Sequence, residues 1–227
     1  MEAEKISIII PVLNEAHTIE KVLVRLLDIQ QVEVIVVDGG SQDATMTIAQ
    51  SLGVKVISTT TSRASQMNVG AAAATGDILL FLHADTTLPS GFESLVRQAL
   101  QDAKTVAGAF ELSIDAQLPG LRLIEKMVNM RSRFFSMPYG DQAIFLKATI
   151  FKEIGGFPNL PIMEDFEIMR CLKVRGKISI LSASVLTSGR RWQKLGIVKT
   201  TLINQVIIVA YLLGISPDII VRWYRRK

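Results

Sequence analysis

The first 82 residues alternate between short β-branched runs and segments whose apolar residues recur at helical spacing. The runs predict strands at residues 6–10, 32–37, 55–58 and 78–82. The segments between them predict helices at residues 16–27, 44–52 and 64–74. Strands separated by single helices form a parallel sheet with helices on both faces. The sequence therefore predicts an α/β fold with a mainly parallel, Rossmann-like sheet, whose ligands bind at the carboxyl ends of the strands.

The second half of the chain has a less regular pattern. Helices are predicted at residues 92–101, 121–135, 150–154 and 164–174, and strands at residues 106–114, 142–145 and 178–181. No internal repeat or low-complexity linker divides the sequence. We therefore predict one compact domain over residues 1–192, followed by a C-terminal helical extension over residues 193–227.

The extension is unusually apolar. Its residues 202–215 are fewer than the roughly 20 apolar residues that a membrane-spanning helix needs. Residues 218–226 are amphipathic and place Trp223 and Tyr224 beside arginines, a mixture that suits a lipid headgroup interface. Three partners for the extension stay open: a membrane surface, a second copy of the chain as a homodimer, and the rest of the domain.

The net charge of +4 comes largely from the end of the chain, from Arg222, Arg225, Arg226 and Lys227. Such a tail suits anionic lipid headgroups or is an ordinary solvated terminus. No basic stripe interleaved with aromatic residues runs along the chain, so we expect no nucleic-acid partner. The single cysteine, Cys171, excludes an intrachain disulfide and favours a cytoplasmic location. Cys171 lies in a predicted helix, and its side chain is expected in the core of the protein.

Polar residues follow the first two predicted strands. Asp38 precedes Gly39; such a carboxylate can accept hydrogen bonds from a base N–H or from ribose hydroxyls, and the glycine lets a ligand approach the backbone. Pro11, Asn14 and Glu15 follow the first strand. Asn14 and Glu15 either begin the next helix or face a ligand.

The third predicted helix begins with an arginine. Arg63 and Gln66 lie on one face of it, at positions i and i+3. An arginine at a helix start opposes the helix dipole and needs a compensating anion, which a diphosphate or a neighbouring Asp would supply.

His83, Ala84 and Asp85 follow the fourth predicted strand. His83 and Asp85 stand at i and i+2 and point the same way, and both suit Mg²⁺ or Mn²⁺. A diphosphate leaving group needs such a cation, because the cation neutralises charge as the bond breaks. A buried histidine beside a helix cap is the alternative interpretation.

Further candidate residues lie in the second half. Glu164 and Asp165 begin a predicted helix, where acids gain from the helix dipole and where one of them can also deprotonate an acceptor hydroxyl. Gly140 and Asp141 precede a predicted strand and could line the same pocket.

Arg190, Arg191 and Trp192 combine two cations with an aromatic ring. The cations either bind a leaving diphosphate or form a cation–π pair at the surface.

Taken in order, five motifs resemble those of family 2 glycosyltransferases of the GT-A type. They are residues 11–15, 36–45, 76–85, 163–165 and 190–192, with the sequences PVLNE, VVDGGSQDAT, GDILLFLHAD, MED and RRW. The resemblance spans about residues 5–192 and is closest to a small bacterial subgroup with a histidine in the metal motif. It implies a GT-A fold in which about residues 1–90 bind the nucleotide and about residues 91–192 the acceptor.

The resemblance also implies roles in binding a nucleotide-sugar donor, for which UDP is the commonest carrier. Pro11, Asn14 and Glu15 would line the base and ribose pocket, and Asp38 would contact the base. Asp85 would be the last acid of the metal-binding Asp-x-Asp motif.

A divalent cation, Mn²⁺ or Mg²⁺, is implied as well, with His83 in place of the first acid of that motif. Asp165 would be the general base of a single, inverting displacement. Ser188 stands where processive members have Gln, so we expect a non-processive enzyme. The sequence does not identify the acceptor; a lipid-linked one, at the inner face of the cell membrane, is compatible with the apolar extension.

Other activities fit less well. A nucleotidyltransferase would have a glycine-rich phosphate loop after the first strand, and residues 11–15 contain no glycine. A dinucleotide-binding enzyme would have Gly-x-Gly-x-x-Gly at that place, which is missing. A module that binds a nucleotide sugar without turnover stays open, and the dependence of turnover on Asp165 distinguishes it.

Overall fold

The structure is a computed structural model that describes residues 3–60 and 62–225. Its strands are Ile6–Val12 (β1), Val32–Asp38 (β2), Lys55–Ser58 (β3), Ile78–Phe81 (β4), Thr86–Thr87 (β5), Thr105–Asp115 (β6), Phe145–Lys147 (β7) and Lys177–Ser188 (β8). Its α-helices are Ile19–Val24 (α1), Thr45–Ser51 (α2), Arg63–Ala72 (α3), Phe92–Gln101 (α4), Leu121–Phe135 (α5), Ala148–Glu153 (α6), Glu164–Lys173 (α7), Arg190–Leu195 (α8), Ile197–Leu212 (α9) and Pro217–Arg225 (α10). Arg226 and Lys227 of the predicted basic tail lie outside the described residues.

The strands form one mixed sheet in the order β3-β2-β1-β4-β7-β6-β8-β5. β1 pairs in parallel with β2 and β4, and β2 pairs in parallel with β3. All seven residues of β1 are buried, because strands flank it on both sides and helices cover both faces. The predicted parallel sheet is confirmed, and the ends of these four strands lie within about two residues of their predicted positions.

The first helix is shorter than predicted, because the chain forms a loop before it. Asn14 has a φ of 56°. Its N–H donates to Ser41 Oγ at 2.8 Å, and its Oδ1 accepts from the Gln42 N–H at 2.8 Å. The loops after β1 and β2 are therefore tied together before the helix begins.

The short strand β7 separates the two parallel groups and is antiparallel to both neighbours, β4 and β6. The predicted bounds of the strand at residues 142–145 are wrong, because Gly140–Gln142 is a 3₁₀ helix and Ala143 has a φ of 51°. The strand is β7, which begins at Phe145. Gln142 is fully buried, and its Nε2 donates to Phe110 O at 2.8 Å. A buried polar side chain thus anchors a turn at this place.

Strand β8 continues seven residues beyond its predicted end at residue 181. It pairs in parallel with β6 along its length, with a register shift between Phe110 and Glu111. Polar residues alternate with apolar ones in this added part, so a search for apolar runs does not find it. The Ser188 N–H donates to Asp85 O at 3.1 Å, which brings residues 190–192 to the end of β4.

Apolar cores lie on opposite faces of the sheet. Alternation along β1 places Ile8 and Ile10 in one core and Ile9 in the other. Helix α3 packs closely on the second face, since a Cβ added to Gly70 would lie 2.5 Å from Ile9 Cγ2 and 2.9 Å from Val37 Cγ2. This close packing holds Arg63, at the start of α3, near the strand ends.

The C-terminal extension packs on the domain along part of its surface. A third apolar cluster joins α7 to α9 and α10 through Met163, Phe166, Ile207, Ala210 and Ile220. The rest of the domain is therefore one partner of the extension. No helix in the described ranges is long and apolar enough to cross a membrane.

The prediction for Cys171 is wrong. The side chain is partly exposed rather than in the core. It lies on the side of α7 that lines an open groove between α5, α7 and α9.

Candidate active site

The ends of β1, β2 and β4 meet at one edge of the sheet, as the parallel pairing requires, and Arg190, which follows β8, reaches the same edge. We call this set the strand-end group; it consists of Asn14, Glu15, Asp38, Asp85 and Arg190. A second set lies where α3 and α7 begin. We call it the helix-start charge cluster; it consists of Arg63, His83, Asp141, Glu164 and Asp165.

Asp38 is the most buried member of the strand-end group, at 1% exposure. Its Oδ2 accepts hydrogen bonds from the N–H groups of Gly40 and Ser41, at 2.9 and 3.0 Å. Its Oδ1 is buried and has no hydrogen-bond partner among the described residues. Leaving a buried acceptor unsatisfied costs about 1–3 kcal/mol. Asp38 therefore presents an oxygen that an N–H or O–H group of a ligand could satisfy.

Gln66 supports the loop that carries Asp38. It is 5% exposed, and its Nε2 donates to Val12 O and to Val37 O, both at 2.9 Å. A Cβ on Gly39 would lie 2.8 Å from this nitrogen, so glycine makes room for the amide. Both amide hydrogens of Gln66 thus hold the ends of β1 and β2. Gln66 has this structural role in the fold, and its contact with a nucleotide stays a prediction.

Arg190 links the ends of β1 and β4. Its Nη2 lies 2.8 Å from Glu15 Oε2 and 3.2 Å from Asp85 Oδ2. Burial raises the pKa of Asp85; the hydrogen bond from Arg190 opposes this rise, and the charge of Glu15 adds to it. One guanidinium thus neutralises two acids at the strand ends.

Glu15 and Asp85 are a donor set that fits Mg²⁺ or Mn²⁺. Carboxylate oxygens suit these cations, and Mg²⁺ is usually held by one or two carboxylates together with phosphate oxygens of a substrate. Within residues 3–60 and 62–225, no three His, Cys, Asp or Glu side chains come together as a metal site. A cation between Glu15 and Asp85 would therefore draw further oxygens from a bound diphosphate.

The helix-start charge cluster is built on an ion pair between α3 and α7. Arg63 Nε lies 2.5 Å from Glu164 Oε1, and Glu164 is 2% exposed. Arg63 thus has an acid as its compensating anion, and that acid is Glu164; the predicted contact of Arg63 with a diphosphate stays a prediction. Glu164 Oε2 is buried and lacks a hydrogen-bond partner in the described part of the chain.

Asp165 is held by two backbone groups at the start of α7. Its Oδ2 accepts from the Gly140 N–H at 2.8 Å, and its Oδ1 accepts from the Phe166 N–H at 2.8 Å. A Cβ on Gly140 would lie 3.3 Å from Asp165 Oδ2 and 3.0 Å from His83 Nε2. The absence of a side chain at Gly140 therefore lets Asp165 and His83 approach the same point.

His83 belongs to this cluster and not to the strand-end group. Burial and the nearby charge of Arg63 lower the pKa of His83 to about 3, so the ring is neutral. Arg63 Nη1 lies 3.4 Å from His83 Nε2, a geometry that makes this nitrogen the acceptor. Asp85 faces Glu15 and Arg190 instead. The two predicted metal ligands thus have separate partners, and the acid beside Asp85 is Glu15.

Asp141 is the second carboxyl group beside Asp165. Burial raises the pKa of Asp141 to about 6; the charge of Arg131 opposes this rise, and the charge of Asp165 adds to it. Its Oδ1 is buried and lacks a partner within the described residues. A cavity of about 10 Å³, room for about one water molecule, lies between Pro11, Gly140 and Asp165.

Arg191 and Trp192 contact other parts of the molecule. Arg191 stacks on Tyr224, with its guanidinium carbon 4.5 Å from the ring centroid, and Nη1 donates to the Tyr224 hydroxyl. Its Nη2 is buried and has no hydrogen-bond partner among the described residues. Trp192 packs against the first apolar core. Arg191 thus forms the cation–π pair that was one of the two interpretations, and the role of Arg190, Arg191 and Trp192 in diphosphate binding stays a prediction.

Arg131 and Tyr139 were not among the predicted site residues. The guanidinium carbon of Arg131 lies 3.7 Å from the centroid of the Tyr139 ring. Tyr139 directly precedes Gly140, which was a usable signal. Arg131 is on α5 and gave no signal, because only the folded chain brings it to this place.

Comparisons with known proteins identify the family and the fold of this chain. The sequence model described as "Glycosyl transferase family 2" matches residues 7–154. No curated protein sequence matches. Among solved structures, residues 1–349 of S. aureus TarS have a TM-score of 0.67 and 20% identity, over 82% of this chain and 60% of that chain. The same TarS segment has been solved with UDP and with UDP-GlcNAc.

Two further solved structures are similar. The mannosyltransferase PcManGT from Pyrobaculum calidifontis, solved with GDP-Man and Mn²⁺, has a TM-score of 0.65 and 19% identity, over 82% of this chain and 57% of that chain. Glucosyl-3-phosphoglycerate synthase from Mycobacterium tuberculosis, solved with Mn²⁺, UDP-glucose and glycerol 3-phosphate, has a TM-score of 0.61 and 20% identity, over 80% of this chain and 70% of that chain.

At this level of identity the solved structures show a shared α/β fold, a curled mixed sheet flanked by helices. The predicted fold class is confirmed, and the sheet is mostly parallel with some antiparallel strands. This chain spans 60% of the first of them. The region matched by the family sequence model runs from β1 to the end of α6 and includes the ends of β1, β2 and β4. The chain therefore belongs to glycosyl transferase family 2.

Proposed function

We propose that this protein transfers a sugar from a nucleotide-sugar donor, carried by UDP, to a hydroxyl group of an acceptor. The observation that carries the proposal is the unpartnered Oδ1 of Asp38, buried at the end of β2. A uracil base offers an N–H group, from which this oxygen would accept a hydrogen bond. Glu15, Asp85 and Arg190 lie at the neighbouring strand ends, where the diphosphate of the bound nucleotide would lie.

Asp165 is the proposed general base of a single inverting displacement. The acceptor oxygen bonds to the anomeric carbon, the bond from that carbon to the diphosphate oxygen breaks, and its electron pair leaves with the nucleoside diphosphate. The acceptor proton passes to Asp165, whose carboxylate Gly140 and Phe166 already orient. The unpartnered oxygens of Asp141 and Glu164 would accept hydrogen bonds from sugar or acceptor hydroxyls.

The proposed cation, Mn²⁺ or Mg²⁺, is assigned to Asp85 together with Glu15. When bound, it neutralises charge on the diphosphate. Arg190 would exchange its two acid partners for diphosphate oxygens, to which guanidinium groups bind well. His83, the second ligand predicted from the sequence, would have to leave Arg63 to join this site.

Thermal unfolding with nucleotides tests the donor site. The protein is heated with UDP, GDP, CDP or dTDP, each with and without Mn²⁺. A ligand at about 100 times its dissociation constant adds roughly 2.7 kcal/mol of stability, which raises Tm by about 5–10 °C for a chain of this size. We expect this rise for UDP with Mn²⁺. No rise with any of the four nucleotides would contradict the proposal.

The matched variants are Asp38→Asn and Asp28→Asn. In Asp38→Asn one oxygen remains for the Gly40 and Ser41 N–H groups, while an NH₂ group replaces the free oxygen and repels a base N–H. Asp28 is exposed and has a φ of 64°, which Asn tolerates, so its substitution should leave the nucleotide effect intact. An Asp38→Asn variant that keeps the full rise in Tm would show that the base binds elsewhere.

A further inference from the structure

An open groove of about 890 Å³ lies between α5, α7 and α9. Its apolar wall includes Phe135 from α5, Val174 after α7, and Ile208 and Leu212 from α9. Phe135, Val174 and Leu212 are exposed by 62, 85 and 64%. A groove with this much exposed apolar surface is unusual on a protein without a ligand or partner to cover it.

The groove passes near the proposed catalytic base. Tyr139 and Phe166 are among its lining residues, whereas Asp165 is not, and we call the part lined by Tyr139 the inner end. Burial raises the pKa of Tyr139 and the charge of Asp165 adds to this rise, so the phenol lies within electrostatic range of that carboxylate. Tyr139 also directly precedes Gly140, whose N–H donates to Asp165 at 2.8 Å. A molecule that contacts Tyr139 in the groove therefore has one end near Asp165.

Positive charge lines the same groove. Arg131, Arg170 and Lys173 are present against a single acid, Glu167, which already pairs with Arg170 at 2.9 Å. Arg131 stacks on Tyr139 and its charge acts on Asp141, but its side-chain hydrogen bonds to Ser132 and Gln142 are both 3.5 Å long. Its Nε is buried and has no hydrogen-bond partner in the described ranges. An anionic group would satisfy this guanidinium.

The helices that border the groove also carry basic residues and exposed apolar side chains. The sequences of α5 and α9 contain five basic residues and one acid, Glu125. Two of the five basic residues are in ion pairs, Arg122 with Glu125 and Arg133 with Glu111. Leu123, Met127 and Phe134 of α5 are exposed by 61, 49 and 78%. Exposed apolar side chains among basic residues are typical of surfaces that meet anionic lipids.

We propose that this groove binds the hydrocarbon chain of an anionic amphiphile, which carries the acceptor hydroxyl to Asp165. The inference rests on the proposed function and names the class of its acceptor. The chain would pack along Phe135, Ile208 and Leu212, and the anionic group would meet Arg131 near the inner end. A second copy of the chain is the rival occupant, but it would block the approach to Asp165.

The only cysteine of the chain gives a direct readout of the groove, since Cys171 lies in its wall and is partly exposed. The full chain is treated with iodoacetamide, and alkylation is followed by intact mass. The probes are decyl phosphate below its micellar concentration, butyl phosphate with the same headgroup, and uncharged decyl maltoside. Decyl phosphate at about ten times its dissociation constant should slow alkylation about tenfold. Butyl phosphate and decyl maltoside should have much weaker effects.

The matched variants are Leu212→Asp and Leu213→Asp. Leu212 lines the groove, whereas its neighbour Leu213 is 76% exposed and does not. Both substitutions place an acid at the end of the same helix, so they affect folding alike. We expect Leu212→Asp to remove the protection by decyl phosphate and Leu213→Asp to keep it. Equal protection in both variants, or equal protection by butyl and decyl phosphate, would overturn the inference.

Two further measurements separate the possible failures. Light scattering reports the oligomeric state; alkylation that is slow without any probe and accelerates as a dimer dissociates would show that a second copy fills the groove, and would overturn the inference. The nucleotide test does not involve the groove. A UDP effect without chain-dependent protection of Cys171 would overturn only the acceptor class. Protection without any nucleotide effect would overturn the proposed function, and with it the assignment of the bound amphiphile as acceptor.

Discussion

The parallel sheet of the first half and the helices that end the chain bury their surfaces in different ways. Strand β1 has all seven residues buried, and its one polar side chain, Ser7, donates to Glu33 at 2.9 Å and accepts from the Gly76 N–H at 2.8 Å. Helix α9 leaves Leu202, Val206 and Leu212 exposed by 59, 56 and 64%.

The difference shows which parts of the molecule depend on contacts outside the chain. Burial of apolar surface is complete within the chain along β1 and β4, and it holds the strand-end group in a fixed place. The C-terminal helices bury one side on α7 and keep apolar surface on another. We therefore expect substitutions in the sheet to affect stability, and substitutions on the exposed helix faces to affect binding.

The largest expected effect is on the rate of sugar transfer, at the part of the site formed by the second half of the chain. Asp165→Asn should lower the rate of sugar transfer by about 10³-fold, because the amide cannot take the acceptor proton. It should leave UDP binding within a few-fold, because Asp38 and Asp85 are unchanged. Transfer rate and nucleotide-dependent Tm are measured side by side. Near-normal transfer would show that the base is another group.

Packing between α3 and β1 gives the next effect. Gly70→Ala would place a Cβ 2.5 Å from Ile9 Cγ2, so the variant should lose about 2 kcal/mol of stability although alanine favours helices. The free energy of unfolding is measured in urea. Ala72→Ser, at an exposed position of the same helix, is the control. An unchanged free energy for Gly70→Ala would mean that α3 can move away from the sheet.

Glu33 ties β2 to the strands beside it. Burial tends to raise its pKa, but hydrogen bonds from Thr75, Lys5 and Ser7 outweigh this and lower the pKa to about 2, from an ordinary value of 4.5. The carboxylate therefore stabilises the fold above about pH 4.5, and this contribution disappears as the pH falls towards 2.

We expect Glu33→Gln to lose about 1–2 kcal/mol at pH 7, a value reduced for partial exposure, and to approach the unmodified protein near pH 2–3. Urea unfolding at several pH values measures it. Glu20→Gln, on the exposed face of α1, should show no pH-dependent deficit. A Glu33→Gln deficit that is the same at both pH values would mean that shape, not charge, is responsible.

The contribution of Asp141 to stability should depend on pH in the opposite direction. Burial raises its pKa to about 6 from 3.8, so its contribution to stability is fully present below pH 3.8 and is lost as the pH rises through 6. Asp141→Asn should therefore gain about 1 kcal/mol at pH 7, and this gain should vanish near pH 4. Thermal unfolding at the two pH values measures it. A loss of stability at pH 7 would show that the ionised carboxylate is satisfied in the fold.

The smallest effect is expected on the exposed face of α9. Leu202 is 59% exposed, so Leu202→Ser should change stability by less than about 0.5 kcal/mol. Leu100→Ser, in α4 and 2% exposed, is the contrasting variant and should lose about 3 kcal/mol. A loss of similar size for Leu202→Ser would mean that a second copy covers this face, and would remove the contrast between the two regions.

Local sequence patterns located the regular elements well. The observed bounds of α4 and α5 equal the predicted ones, because apolar residues at helical spacing and glycines at their starts fix both helices. The pattern failed at residues 142–145, where a buried Gln142 anchors a turn, and in β8, where alternating polar residues conceal the strand.

The candidate site was predictable where a residue directly follows a parallel strand, since such strands bring their carboxyl ends together. Glu15, Asp38 and Asp85 are in this class. The partners of these residues were not predictable. Arg190 meets Asp85 and Glu15 across 105 and 175 positions of sequence, and Arg63 meets Glu164 across 101.

The sequence by itself determined the α/β class, the parallel order of the first strands and the polar residues at their ends, because side-chain periodicity encodes local structure and burial. Only the tertiary structure decided that Asp85 faces Glu15 rather than His83, that Gln66 supports the backbone, and that a groove with apolar and basic side chains lies between α5, α7 and α9. These contacts join elements far apart in sequence, and the way those elements pack fixes them.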